Sequence, residues 1–218
     1  MAGPTGDLDW KSYQQYFVEM AAAWKQDFPN LRHYYVFQIW PSACGMGGPN
    51  GDQLREKQRS LARLFSNMDV MPTLGIRPPG TCHYPLAGWA EFATLMQPLI
   101  ERDVFGKKSA KPVTAPNLKQ AYFTNSAKNE VALEFDQLVV WMDSLTSQFR
   151  LDWGDNQIAS GSADGNVITL KLKETSTAKL IMYPGKAWSQ DALIMGGNGI
   201  TALTFCDVPI VNERRNRL

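Results

Sequence analysis

His83 is the residue of this sequence best placed to move a proton. It stands in "GIRPPGTCHYP", a Pro/Gly-rich loop followed at once by an amphipathic helical pattern. A neutral imidazole in such a loop can take a proton from a serine hydroxyl and return it to a leaving group. Gly80 and the prolines would give the loop an unusual path, which is how loops present functional side chains. A loop histidine can equally do no more than hydrogen-bond the backbone, and the residues alone leave both readings open. A second loop, in "QIWPSACGMGG", carries Trp40 and Ser42. Trp40 offers an aromatic face to a sugar ring, or fills a core at a strand end. Ser42 offers a hydroxyl near substrate. As a nucleophile it lacks the strand-turn-helix elbow that aims a serine.

The remaining reactive side chains form no recognisable set. Cys44 and Cys82 lie on these two loops and Cys206 lies far away, with neither a CxxC zinc spacing nor an even count for a disulfide framework. The second histidine, His33, reads as a solvated residue at a strand start. Glu91 and the carboxylates of "IERD" follow helical spacing on a solvated face and do not make the pair that flanks a glycosidic bond. Trp141, Trp153 and Trp188 either line a sugar-binding face or fill a core. No metal site and no cofactor is expected.

These residues need elements to hold them. Asp9 can cap a first helix, in which Trp10, Tyr13, Phe17, Met20, Ala21 and Trp24 recur at helical steps, and "DFPN" ends it. "HYYVFQIW" has little alternation, as in a strand buried on both faces of a parallel sheet. After the Gly-rich loop a helix is expected from about Asp52, with Leu54, Leu61, Leu64 and Phe65 inward and Arg55, Lys57, Arg59 and Arg63 on other sides. "MDVMPTLGI" is a second strand. A third helix runs from Gly88 to about Arg102 with Trp89, Phe92, Ala93, Met96, Leu99 and Ile100 inward. This order implies two parallel strands joined by a right-handed helical crossover. Both loops then leave the carboxyl ends of adjacent strands, where ligands of open parallel sheets collect.

Beyond Gly106 the texture changes. Residues 1–106 read as an α/β domain, 107–116 as a Lys/Pro/Ala linker and 117–218 as a small antiparallel β-sandwich. Its short runs are "QAYFT", "EVALEF", "QFRLDW", "NVITLKL", "AKLIMY" and "ITALTF", with turn signals in "SADGNV". Cys206 should be a small core residue there.

Composition bounds the function. Twenty-two Lys and Arg against 21 Asp and Glu give a net charge of +1 without a basic stripe, which gives a nucleic-acid role no electrostatic support. No apolar run approaches the roughly 20 residues that span a bilayer, and no signal-peptide core opens the chain. Two parallel strands do not make a stable layer alone, and "YYVFQIW" is too apolar for an exposed edge. A missing N-terminal half of a longer domain is therefore expected beside it. A domain-swapped homodimer covering the open edge is the other solution.

The stretch from "FQIWPSACGMGG" through "DQLREKQRSLARLFSNMDVMPTLGI" to "PPGTCHYPLAGWAEFATLMQPLIERD" resembles the C-terminal half of the SGNH-type carbohydrate esterases. It is most similar to their sialate O-acetylesterase-like group, which includes acetylxylan esterases. Arg55 and Gln58 match a helical "R…Q" pattern of that family, and Tyr84, Pro85 and Gly88 its "HP…G" context with one inserted residue. The resemblance covers residues 8 to about 105. It implies a partial flavodoxin-like parallel α/β layer with His83 as catalytic base. The family's "GQSN"-like nucleophile motif, its oxyanion-hole glycine and its "QGE" segment have no counterpart here, and Gly80 replaces the Asp that orients the histidine. The family's extracytoplasmic habitat makes a Cys44–Cys82 disulfide a candidate, the alternative being two thiols packed in loops. The resemblance thus implies a portion of an enzyme that hydrolyses O-acetyl esters of sugars or polysaccharides, periplasmic or extracellular, its serine nucleophile absent from this chain, which alone would be inactive. The alternative is a non-catalytic carbohydrate-binding or scaffolding protein with a degenerate esterase half.

Overall fold

The computed structural model describes residues 10–41, 47–76, 86–185 and 192–214. Two compact units emerge, Met1–Ala110 and Lys111–Leu218. Among the described residues no helix is long and apolar enough to cross a membrane.

In the first unit, α1 spans Tyr13–Asp27. It ends before Pro29, whose ring keeps Phe28 out of helical geometry; the Phe28 amide still closes the last turn on the Trp24 carbonyl. Lys25 bonds the carbonyls of Pro29 and Leu31, a favourable place for a cation. β1 (Tyr34–Phe37) and β2 (Met68–Met71) pair in parallel, Tyr34 opposite Met68 and Phe37 opposite Met71. Between them runs α2 (Gly48–Leu61), the expected crossover helix. It starts four residues before the expected Asp52, because Gly47 is extended and Pro49 suits the first turn.

β1 is covered on both faces, which is why its sequence does not alternate. Tyr34 meets Phe17 of α1 and Phe65, and its hydroxyl donates to the Ala21 carbonyl. Phe37 meets Phe92 edge-on at 4.7 Å. Phe92 belongs to α3 (Leu86–Phe105), which carries Pro98 inside it. Leu99 is fully buried there as expected, but Ala93 is exposed and Trp89 is 57% exposed, so the inward face is narrower than the apolar pattern suggested. A larger correction concerns α2. Arg55 and Arg59, expected away from the apolar side, are each 1% exposed, while Leu64, expected on it, is 56% exposed.

Among the described residues the second unit holds ten elements besides its loops. β3 (Leu118–Phe123), β4 (Glu130–Phe135), β5 (Val139–Val140) and a 3-10 helix (Asp143–Gln148) come first. β6 (Arg150–Leu151), β7 (Ile158–Asp164), β8 (Val167–Leu172), β9 (Leu180–Tyr183), β10 (Met195–Gly196) and β11 (Phe205–Val211) follow. Seven strands form one curled sheet in the order β6-β9-β11-β3-β4-β8-β7, and β5 pairs with β10 separately. Where a small antiparallel sandwich was expected, the strands form one large curled sheet, and one of its pairings is parallel. β11 runs parallel to β3, Ile210 opposite Ala121 and Val211 opposite Tyr122, so the sheet is mixed. The register of β11 against β9 shifts between Phe205 and Val208, where Asp207 takes a positive φ. Such a bulge bends a strand, and it lets β11 serve β9 with one half and β3 with the other.

"SADGNV" forms the β7–β8 hairpin, with Gly165 at the positive φ that a two-residue loop requires. "ITALTF" enters a strand only at Phe205, and the strand proper continues through Pro209. Residues 112–116, within the segment expected as linker, are tied into this unit. Asn198 donates to the Pro112 and Thr114 carbonyls, and the Leu203 amide to that of Pro116. The core gathers Leu118, Phe135, Phe149, Ile181, Tyr183 and Phe205. Each such side chain contributes roughly 1.5–3 kcal/mol by burial. Cys206 is buried, outside that cluster.

Candidate functional site

The first unit concentrates polar side chains at both ends of its two strands. At the carboxyl end, the Gln38 amide nitrogen of the backbone donates to the Met71 carbonyl at 2.8 Å, so the chains leaving β1 and β2 start side by side. Gln38, 2% exposed, donates from its side chain to the Arg55 carbonyl at 3.0 Å. In return the Ile39 amide donates to the Gln58 side chain at 2.9 Å, and Gln58 also hydrogen-bonds the Tyr13 hydroxyl. One buried glutamine thus joins α1, α2 and the end of β1.

Arg55 pairs with Asp52 and Arg59 is gripped by both oxygens of Glu56. Buried guanidinium groups persist only when paired in this way. Arg55 and Gln58 of the "R…Q" pattern are therefore frame residues beneath the strand ends, three residues apart on one helix face. Thr73, just past β2, is 5% exposed, and its hydroxyl has no hydrogen-bond partner among the described residues.

Of the expected site residues, Trp40 is half-buried just beyond β1. His83, Ser42, Cys44 and Cys82 lie outside the described residues, as do Gly80 and Trp188. Trp89 was expected inside the fold and is instead exposed, in the first turn of the helix that follows the His83 loop. Its ring leans on Phe92 at 5.6 Å, which in turn packs on Phe37 of β1. An exposed aromatic supported from behind is a ready platform for the apolar face of a sugar. Apolar periodicity hid it, because a tryptophan contributes to that signal wherever it points. In the second unit Trp141 lies against Gly161 and stacks on Phe149, at the rim of the core, and Trp153 sits half-buried in a turn with positive φ.

The amino end of the strands carries a second cluster. His33 is not solvated as expected: its Nε2 lies 3.0 Å from Asp69 and 3.7 Å from Asp103, and its ring packs on Tyr35. Arg102 bonds both carboxylates, and Tyr35 donates to Asp103 at 2.9 Å. Arg102 foremost, with the Tyr35 hydrogen bond, holds the Asp103 carboxyl below the usual carboxylate range against its partial burial. Burial first, then the bond to Asp103, push the Tyr35 hydroxyl up to about 12. His33, Asp69 and Asp103 offer three donor atoms within 4.8 Å of one another. Arg102 already supplies the positive charge between the two carboxylates, so the cluster is a closed ion-pair knot that ties β1, β2 and α3 together.

The chain shares its fold with a solved carbohydrate acetylesterase. That structure, from Xanthomonas citri, matches with a TM-score of 0.71 at 16% identity over 94% of this chain. The chain spans 47% of the length of that protein. No family model matches the chain, and no curated protein matches it.

Proposed function

We propose that this chain is the C-terminal portion of an SGNH-type carbohydrate esterase that removes O-acetyl groups from a sugar or polysaccharide. The observation that carries the reading is the arrangement of β1 and β2. They are two parallel strands whose carboxyl-end chains start together, and β1 pairs only with β2 among the described residues. A strand from an upstream half would complete the layer along the free side of β1 and bring the nucleophile to the same end. The likeness to a carbohydrate acetylesterase roughly twice as long supports the same reading.

In the complete enzyme, a serine of the upstream half attacks the acetyl carbonyl while His83 accepts its proton. His83 then protonates the departing sugar oxygen, and afterwards takes a proton from the water that releases acetate. Gly80 supplies no carboxylate to orient the imidazole, so a backbone carbonyl or a dyad serves. Arg55, Gln58 and Gln38 hold the strand ends, and Trp40 and Trp89 would offer aromatic surface to the sugar. A disulfide between Cys44 and Cys82 would join the two loops.

The test is to assay this chain on p-nitrophenyl acetate alone and after co-expression with its upstream coding segment. Hydrolysis is expected only in the second case. Hydrolysis in neither, with retention of the chain on a glycan column, would replace the esterase by a carbohydrate-binding protein. Light scattering that gave a dimer of this chain alone would assign the free side of β1 to a second copy.

A further inference from the structure

We propose that the second unit carries a separate binding site for a segment of polysaccharide chain, in the cleft between the β3–β4 turn and the end of β11. The inference rests on the reading above in one respect, that the natural ligand is a carbohydrate.

The cleft follows from the one parallel pairing of the sheet. β3 and β11 end together at Phe123 and Val211, and the chain then leaves each strand by a different route. β3 turns back into β4 through residues 124–129. β11 runs on to Arg214, which grips both oxygens of Glu134 on β4 at 2.9 and 3.0 Å. β3 lies between β11 and β4, and Glu134 stands opposite Gln120, so that ion pair carries the tail back over β3 from its carboxyl end. The turn and the tail flank an open cleft of about 580 Å³. This lies within the range of small-molecule sites, about 300–1,000 Å³.

Its lining suits a polyol. Asn212 presents a donor and an acceptor in one plane and Ser126 a hydroxyl, while Asn125, whose amide nitrogen donates to Asn129, and Thr124, whose hydroxyl donates to Glu130, offer acceptor oxygens. Sugar hydroxyls need both roles within a small area. Tyr122 supplies a half-buried ring for the carbon-bound hydrogens of a pyranose. Lys128 takes a positive φ of 52°, a conformation that favours Gly or Asn over Lys. Its ammonium lies 5.4 Å from the centre of the Phe123 ring and makes no ion pair among the described residues. Its ammonium is thereby held beside the Phe123 ring as a donor, and Glu213 adds an acceptor to the lining. An open cleft of this kind retains a polymer at modest affinity rather than sequestering a small molecule.

The test is a titration of the isotope-labelled chain with cellohexaose, xylohexaose and mannohexaose, read by amide chemical shifts. With at least one of the three, shifts should cluster at residues 122–128 and 212–214. Asn125→Ala and Lys128→Ala should each weaken that binding about five- to tenfold, the loss of one hydrogen bond to a sugar hydroxyl. If none of the three moves these amides, if the shifts fall elsewhere, or if both variants bind like the parent, the proposal is overturned. An enzyme completed with its upstream half that cleaves aryl acetate but gives a null titration would sink this site alone. A positive titration with no esterase activity would sink the catalytic reading alone.

Discussion

The side chain of Gln58 accepts the backbone amide of Ile39 at 2.9 Å, so that α2 is fastened to the carboxyl end of β1 one residue before Trp40. Replacing Gln58 by Leu keeps the volume and strands that amide. The expected cost is about 1–3 kcal/mol, the penalty for a buried donor left unmade. Urea unfolding of the first unit measures it, and an unchanged midpoint would show that water or a neighbour takes over the bond.

The ion-pair knot at the other end of the strands sets two pH limits. Asp103 has a folded pKa below its unfolded value, so its contribution is present above the ordinary carboxylate range and is lost as pH falls through the folded value. Tyr35 has a raised folded pKa, so its contribution is intact below about pH 10 and is lost between about 10 and 12. Tyr35→Phe should remove the alkaline loss, on the order of 1 kcal/mol after allowance for solvent screening. Thermal melts across that window check it; an alkaline limb that survives in the variant would place its origin elsewhere.

Gly161 marks a place where the sheet of the second unit must be thin. A Cβ there would lie 2.4 Å from the Trp141 ring. Gly161→Ala should destabilise the unit by about 1–3 kcal/mol, the usual cost of overpacking. The pair Gly161→Ala with Trp141→Leu should cost less than the sum of the two single changes. Strict additivity of the three midpoints would mean that the ring does not rest on this glycine in solution.

Trp89 separates substrate binding from chemistry. In the completed enzyme, Trp89→Ala should raise KM for an acetylated polysaccharide about two- to tenfold, the worth of one aromatic contact. The rate on p-nitrophenyl acetate should stay near that of the parent. Equal losses on both substrates would make Trp89 a structural prop of the His83 loop instead of a sugar platform.

The two-strand α/β pattern was legible because β1 and β2 are apolar on both sides and their crossover helix is long. Most strands of the curled sheet were legible, but its one parallel pairing was not. The relevant partner choice is made at the Asp207 bulge, and a positive φ at an aspartate leaves no periodic trace. β7, "IASGSAD", was missed because an edge strand of small and polar residues resembles a loop. The buried Arg55 and Arg59 were misplaced for a related reason. Hydrophobic periodicity assigns charge to solvent, and only the i, i+3 acids Asp52 and Glu56 hinted that each guanidinium travels with its own counter-ion. His33 shows the same limit, since its carboxylate partners come from β2 and α3, 36 and 70 residues away.

The most direct measurement of the central claim is kcat on p-nitrophenyl acetate for the enzyme completed with its upstream half, with His83 intact and as His83→Ala. The account predicts that the substitution lowers kcat by at least about a hundredfold, the usual contribution of a general base. A variant that retained the parent rate would mean that the proton is carried by another group and that His83 is an ordinary loop residue.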